Sequence, residues 1–92
     1  MAISFEWDDK KAKSNLQKHG VSFEEASTVF GDEFSLTIDD PLHSQEENRL
    51  ILIGKSMINN TLVVVHLEKT ESIQIISARK ATKKEKSFYE EQ

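Results

Sequence analysis

Three groups of residues in this 92-residue chain have types and spacings that could do chemistry. His66 and Glu68 stand two apart at the end of an apolar run, so in an extended strand both side chains leave the same face. A carboxylate beside an imidazole favours the protonated ring, and the two could serve as base and acid. A strand leaving the core would place a histidine there equally well. Arg79 and Lys80 close a second apolar run, just ahead of a helix start. Free N–H groups and the positive end of a helix dipole, next to a guanidinium, suit a phosphate or a carboxylate. Lys83 and Lys84 fall in the first turn of that helix, where cations oppose the dipole and an anionic visitor offsets the cost. Lys18 and His19 end an early helix, where the dipole alone favours cations. Glu47 and Arg49 flank the start of a strand and read as a structural ion pair.

The elements that must position these groups are legible from periodicity. Ile3, Phe5 and Trp7 alternate with polar residues as a short strand. Asp8 or Asp9 caps a helix over about 10–19, with Ala12 and Leu16 on its inner stripe and Gly20 as its left-handed end. Ser22 and Glu25 form a capping box for a second helix, which buries Phe23, Ala26 and Phe30 and stops at Gly31 and Asp32. Phe34, Leu36 and Ile38 mark another strand, and a polar loop with Pro41 runs from Asp39 to Glu47. Runs at Leu50–Ile53, Leu62–Leu67 and Ile73–Ala78 follow, split by Asn59-Asn60 and by Lys69-Thr70-Glu71, both suited to hairpin turns. Thr82 and Glu85 form a second capping box, opening a helix through Phe88 and Tyr89.

The order predicts one α+β domain over residues 1–92. Its antiparallel sheet has about four to five strands, two N-terminal helices on one face and a C-terminal helix. The first strand joins at an edge or beside a later strand, and the opposite face is left open to solvent or a ligand. Hairpin parity decides whether the candidate residues meet. A three-residue turn pairs Glu68 with Ser72 and His66 with Gln74, leaving Arg79 on the far face. An even-numbered loop, or a bulge, puts His66 on the face of Ile75, Ser77 and Arg79.

Composition excludes several classes. The chain has no cysteine, so thiolate chemistry and disulfides are absent. None of the three histidines has a partner at helical metal spacing, and there is no phosphate loop, GxGxxG or GxSxG motif. No metal and no cofactor are therefore expected. No apolar run reaches the roughly 20 residues of a membrane span and no signal pattern opens the chain, so the cytoplasm is the expected place. The net charge of −4 disfavours nucleic acid only on average. Residues 1–20 carry +1, residues 21–50 carry −7 and residues 51–92 carry +2, with five bases between Arg79 and Lys86.

The strings Phe5-Glu6-Trp7-Asp8, Lys18-His19-Gly20-Val21-Ser22-Phe23-Glu24-Glu25-Ala26 and Ile53-Gly54 resemble the BrnT family. So do Val64-Val65-His66 with Glu68, Ile75-Ile76-Ser77-Ala78-Arg79-Lys80-Ala81-Thr82, and Glu85 with Tyr89. The resemblance runs from Phe5 to Tyr89 with the motifs in order. It implies a RelE-like fold (RelE/ParE-like) and a ribonuclease toxin of a type II toxin–antitoxin module, which cleaves RNA without a metal and inhibits translation. A BrnA-type ribbon-helix-helix antitoxin would neutralise it, in a 2:2 hetero-oligomer. The sheet's open face would hold RNA, with His66 or Glu68 as the base and Arg79 stabilising the phosphorane. Lys18, His19, Arg49, Lys80, Lys83 and Lys84 would bind RNA. Gln74 stands where relatives often carry arginine, so the alternative is a catalytically weak or inactive binding module that acts as a co-repressor. In either reading the acidic segment from Val21 to Leu50 should lie off the RNA path.

Overall fold

Each run of period-two alternation forms a strand, and each segment behind a capping residue forms a helix. The computed structural model describes residues 3–41 and 48–92. In chain order the elements are β1 (Ser4–Glu6), α1 (Asp9–His19), α2 (Phe23–Thr28), β2 (Leu36–Asp39), β3 (Arg49–Lys55), β4 (Thr61–Glu68), β5 (Ser72–Lys80) and α3 (Lys83–Glu90). A short 3-10 turn, Val29–Gly31, follows α2. Most of the expected polar loop lies outside the described residues, as does Glu47, the expected partner of Arg49.

The strands form one sheet in the order β1-β5-β4-β3-β2. Strands β2 to β5 make the expected antiparallel meander, and β1 joins β5 in parallel at the edge, so the sheet is mixed. One face is covered by the first two helices: Val21, Phe23, Ala26 and Val29 pack on Leu52, Leu62, Val64, Ile75 and Ala78. The other face is covered in part by α3, whose Tyr89 packs on Ile53 and Val63. This is the α+β, RelE/ParE-like layering expected from the sequence.

Helix starts follow the local chemistry closely. Asp8 accepts the Lys11 N–H at 3.0 Å, Ser22 accepts the Glu25 N–H at 3.0 Å, and Thr82 and Glu85 form a reciprocal capping box. Gly20 ends α1 at φ 69°, the left-handed region that a Cβ disfavours. The box at Ser22 is only half formed. Glu25 turns away to accept from Ser56 Oγ at 2.7 Å and Asn60 Nδ2 at 2.8 Å, fixing the β3–β4 turn where Asn59 takes φ 66°. Gly54 is needed for close approach, since a Cβ there would lie 2.8 Å from Val29 Cγ1 and 2.9 Å from Ser35 Cβ.

The inner stripe of α1 differs from expectation. Leu16 is 51% exposed and Asn15 is buried instead. Beyond Glu6, paired with Gln74, strand β1 no longer covers that edge of β5. Asn15 takes its place: Nδ2 donates to the Ala78 carbonyl at 2.8 Å and Oδ1 accepts the Ala78 N–H at 3.0 Å. The same Nδ2 donates to the Val21 carbonyl at 3.0 Å. These bonds set the rotation of α1 and push Leu16 outward, because an unpaired buried peptide group costs more than one exposed leucine.

Asn15→Ala is expected to remove about 2–4 kcal/mol of stability, since it strands both polar groups of Ala78 in an apolar setting. The shift of the urea unfolding midpoint measures this. Leu16→Ala should move the midpoint far less.

Candidate functional site

The β4–β5 register decides what faces what. Glu68 pairs with Ile73 and His66 with Ile75, so the loop is even-numbered rather than three residues long. One residue further, Val65 pairs with Ser77, which leaves Ile76 as an unpaired bulge. Loop parity brings His66 to the face of Ile75, and the bulge then returns Ser77 and Arg79 to the other face. Either device alone would have joined His66 and Arg79; together they cancel.

His66 therefore points under the helices, 1% exposed, with its ring edge-on to Phe30 at 4.8 Å between centroids. Burial pushes its pKa below 6.5, against the opposing pull of the Val64 carbonyl and of Glu68, so the ring is neutral at neutral pH. Glu68 is exposed at the far end of β4. Val63, which pairs with Arg79, is five residues from it, or about 17 Å of extended strand. The expected trio of His66, Glu68 and Arg79 is thus not one site: the register sends His66 to the covered face and Glu68 to the opposite end. Arg49 is also engaged, with Nε 3.3 Å from Oδ2 of the buried Asp40.

Arg79 lies on the α3 face. Its Nη1 donates to Glu85 Oε1 at 2.7 Å and its Nη2 to Oε2 at 2.8 Å, a bidentate fork on the first turn of α3. Glu85 Oε1 also accepts the Thr82 N–H at 2.9 Å. The fork, outweighing burial, holds the Glu85 carboxyl down at about 2, with help from the Thr82 bonds. The same contact raises the already high pKa of Arg79.

Towards the end of β5 the chain brings cations from both faces of the sheet. Helix α1 climbs along β5, because it leaves β1 at the level of Gln74 and is bonded at Asn15 to Ala78. Lys18 and His19 come one turn after Asn15, and Lys80 comes two residues after Ala78. Lys80, Lys83 and Lys84 are exposed there, as are Lys18 and His19. The end of β5 is consequently a basic rim: Lys80 and the lysines of α3 stand at it, and the carboxyl end of α1, bonded through Asn15 to Ala78, runs towards it from the other face. Among the described residues, no three His, Asp or Glu side chains converge as metal ligands would.

The family model described as the ribonuclease toxin BrnT of type II toxin–antitoxin systems matches residues 7–85. The chain belongs to the BrnT family. A crystal structure of the Brucella abortus ribonuclease toxin BrnT superposes with a TM-score of 0.70, covering 89% of this chain and 100% of that one. At 21% identity that likeness carries the fold alone. Among curated proteins, none matches significantly in sequence.

Two residues of the site escaped the sequence reading. Asn15 left a faint signal, a poor helix former at mid-helix among lysines and a leucine. Asp32 left none. Its Oδ2 accepts the Tyr89 hydroxyl at 2.5 Å and the Lys55 N–H at 2.8 Å, locking the end of α3 to the sheet. Burial and this bond push Tyr89 up to about 12. For Asp32 burial works upward, but the bonds from Tyr89, Lys55 and Phe34 outweigh it and lower the pKa.

The Arg79–Glu85 fork predicts an acid-sensitive difference. The folded pKa of Glu85 lies below its ordinary 4.5, so the contribution is complete above that value and drains away as pH falls towards about 2. With side chains 42% and 28% exposed, solvent screening leaves about 1 kcal/mol. Glu85→Gln keeps a capping acceptor and should lose that amount at pH 7 in urea titrations, with the gap to the parent protein closing near pH 2.

Proposed function

We propose that this BrnT-family protein is a metal-independent endoribonuclease that arrests translation. In this reading RNA lies along the basic rim at the end of β5. The observation that supports it best is that Lys80, Lys83 and Lys84 are exposed within five residues of Arg79, with Lys18 and His19 on the helix that Asn15 bonds to Ala78. Lys80, Lys83, Lys84 and Lys18 form no ion pair with a described residue and gain from a phosphate, and the first turn of α3 is destabilised by its lysines until an anion arrives.

Chemically, the 2′-hydroxyl gives its proton to water and attacks the adjacent phosphorus, the O2′–P bond forms, the P–O5′ bond breaks and the leaving O5′ takes a proton from water. The products are a 2′,3′-cyclic phosphate and a 5′-hydroxyl. Negative charge grows on the phosphorane oxygens, and Arg79 supplies donors aimed at it. Its fork to Glu85 orients the guanidinium, and donors outside the fork remain for a phosphate oxygen. Lys80, Lys83 and Lys84 hold flanking phosphates, with Lys18 and His19 on the other side. His66, sealed behind Phe30, acts in this scheme as a core residue, and Glu68 stands away from the reacting phosphate.

The partner in this reading is a BrnA-type ribbon-helix-helix antitoxin in a 2:2 assembly, which blocks the rim and represses its own operon. One observation favours the alternative of a weak or inactive co-repressor. Arg79 is already neutralised by Glu85, and Gln74 adds no charge beside it.

Expression without an antitoxin separates the two. Growth arrest with RNA fragments ending in cyclic phosphate is the expected outcome, and Arg79→Ala should reduce cleavage at least about 100-fold. Glu68→Gln should stay within a few-fold of the parent protein. A fully toxic Arg79→Ala variant with a native melting curve would remove Arg79 from the mechanism, and a harmless parent protein would leave the co-repressor reading.

A further inference from the structure

Strand β2 is the outer edge of the sheet, and no described residue pairs with its free side. Natural edges are blunted by lysine, proline or a covering segment, because their free N–H and C=O groups otherwise recruit another strand. Leu36–Asp39 contains neither lysine nor proline. Its register puts Ile38 opposite Ile51 on the α3 side, and Ile38 is 43% exposed. Phe34 just before it is 64% exposed, and Gln92 Nε2 bonds the Phe34 carbonyl at 2.6 Å, so the end of α3 borders the same edge. Phe88, one turn after Glu85 on α3, is 53% exposed. An apolar strip with open backbone groups is the surface a β-strand ligand uses.

Charge states what kind of segment fits. Glu33, Asp39, Glu90 and Glu91 surround the strip, all exposed and none in an ion pair with a described residue. Glu90 and Glu91 also lie at the carboxyl end of α3, where the dipole disfavours anions and no base sits in the last turn. A cation beside them relieves that strain. A second copy would bring the same acids to the interface, like charge to like charge, so it is a poor occupant.

We propose that the free edge of β2 docks an extended segment of a partner protein in which apolar residues alternate with lysine or arginine. The segment adds a sixth strand, setting its apolar side chains on the face of Ile38 and its cations on the face of Asp39, while Glu33, Glu90 and Glu91 add negative charge around the edge. This surface lies across the sheet from the basic rim at β5, and its occupancy needs no RNA cleavage.

The test is an NMR titration of the full chain with two ten-residue probes, one alternating Lys and Val and one alternating Glu and Val. The Lys-Val peptide should shift the amides of Leu36–Asp39 and Glu90–Gln92 and bind at least tenfold more tightly than the Glu-Val peptide. Ile38→Lys, at an exposed position, should keep the native spectrum elsewhere and weaken that binding at least tenfold. Equal binding of the two peptides, or no shifts at β2, would overturn the proposal. So would a concentration-dependent dimer in sedimentation that Ile38→Lys dissociates, which would give the edge to a second copy. Because no RNA is present, these outcomes stand whether or not the protein cleaves RNA.

Discussion

The pairing of β4 with β5 is the constraint on which the arrangement of functional groups depends. A strand has only two faces, so a slip of one residue exchanges every side chain between core and surface. Here two shifts act in series, an even-numbered loop before His66 and an extra residue at Ile76 after it. The first sends His66 inward and the second sends Arg79 outward. Had only one occurred, the arginine would lie beneath α1 and α2, with no carboxylate from α3 to meet it. The bulge thus lets β5 supply Ile75 and Ala78 to one core and Arg79 to the opposite surface.

Helix α3 is short, and its hold on the sheet rests on three contacts spaced along it. Glu85 grips Arg79 on β5, Tyr89 packs on Ile53 and Val63 and bonds Asp32, and Gln92 reaches Phe34. The helix therefore crosses the sheet from β5 to β2. An isolated eight-residue helix has little stability of its own, so these tertiary contacts carry it. They also tolerate an unfavourable charge pattern, lysines at the amino end and glutamates at the carboxyl end. A helix charged against its dipole at both ends presents unrelieved charge of opposite sign to two different surroundings.

Local rules read well from this sequence because their causes are local. Asp8, Ser22, Thr82, Gly20 and Asn59 act on backbone groups within four residues, so caps and turns were legible where they occur. Alternation likewise marked β1 and β2, and apolar runs marked β3 to β5. What stayed hidden depends on partners far along the chain. Glu25 reads as a capping residue until Ser56 and Asn60 arrive, 31 and 35 residues later. Asn15 is drawn inward by Ala78, 63 residues away, and Leu16 is exposed as a consequence. The candidate site shows the same division. Its cations and their helical positions were legible, whereas the exclusion of His66 and Glu68 followed from a loop parity and a bulge that no residue type announces.

The net charge of −4 acquires a different meaning once the poles are placed. The basic rim lies at β5 and the amino end of α3, and exposed acids cluster at β2 and its carboxyl end. The eight residues of α3 separate these poles by about 12 Å of helix. Screening in physiological salt acts over about 8 Å, so each pole is felt mainly by what touches it. The acidity of residues 21–50 is also partly spent inside the protein, since Glu25, Asp32 and Asp40 hold the β3–β4 turn, Tyr89 and Arg49. Of the other described acids there, Glu24, Glu33 and Asp39 are exposed, the last two at the β2 edge. A polyanion at β5 therefore meets a positive surface on a protein of negative charge, and a basic chain at β2 meets a negative one. The sheet keeps the two encounters apart, because strands β4 and β3 and the length of α3 lie between them.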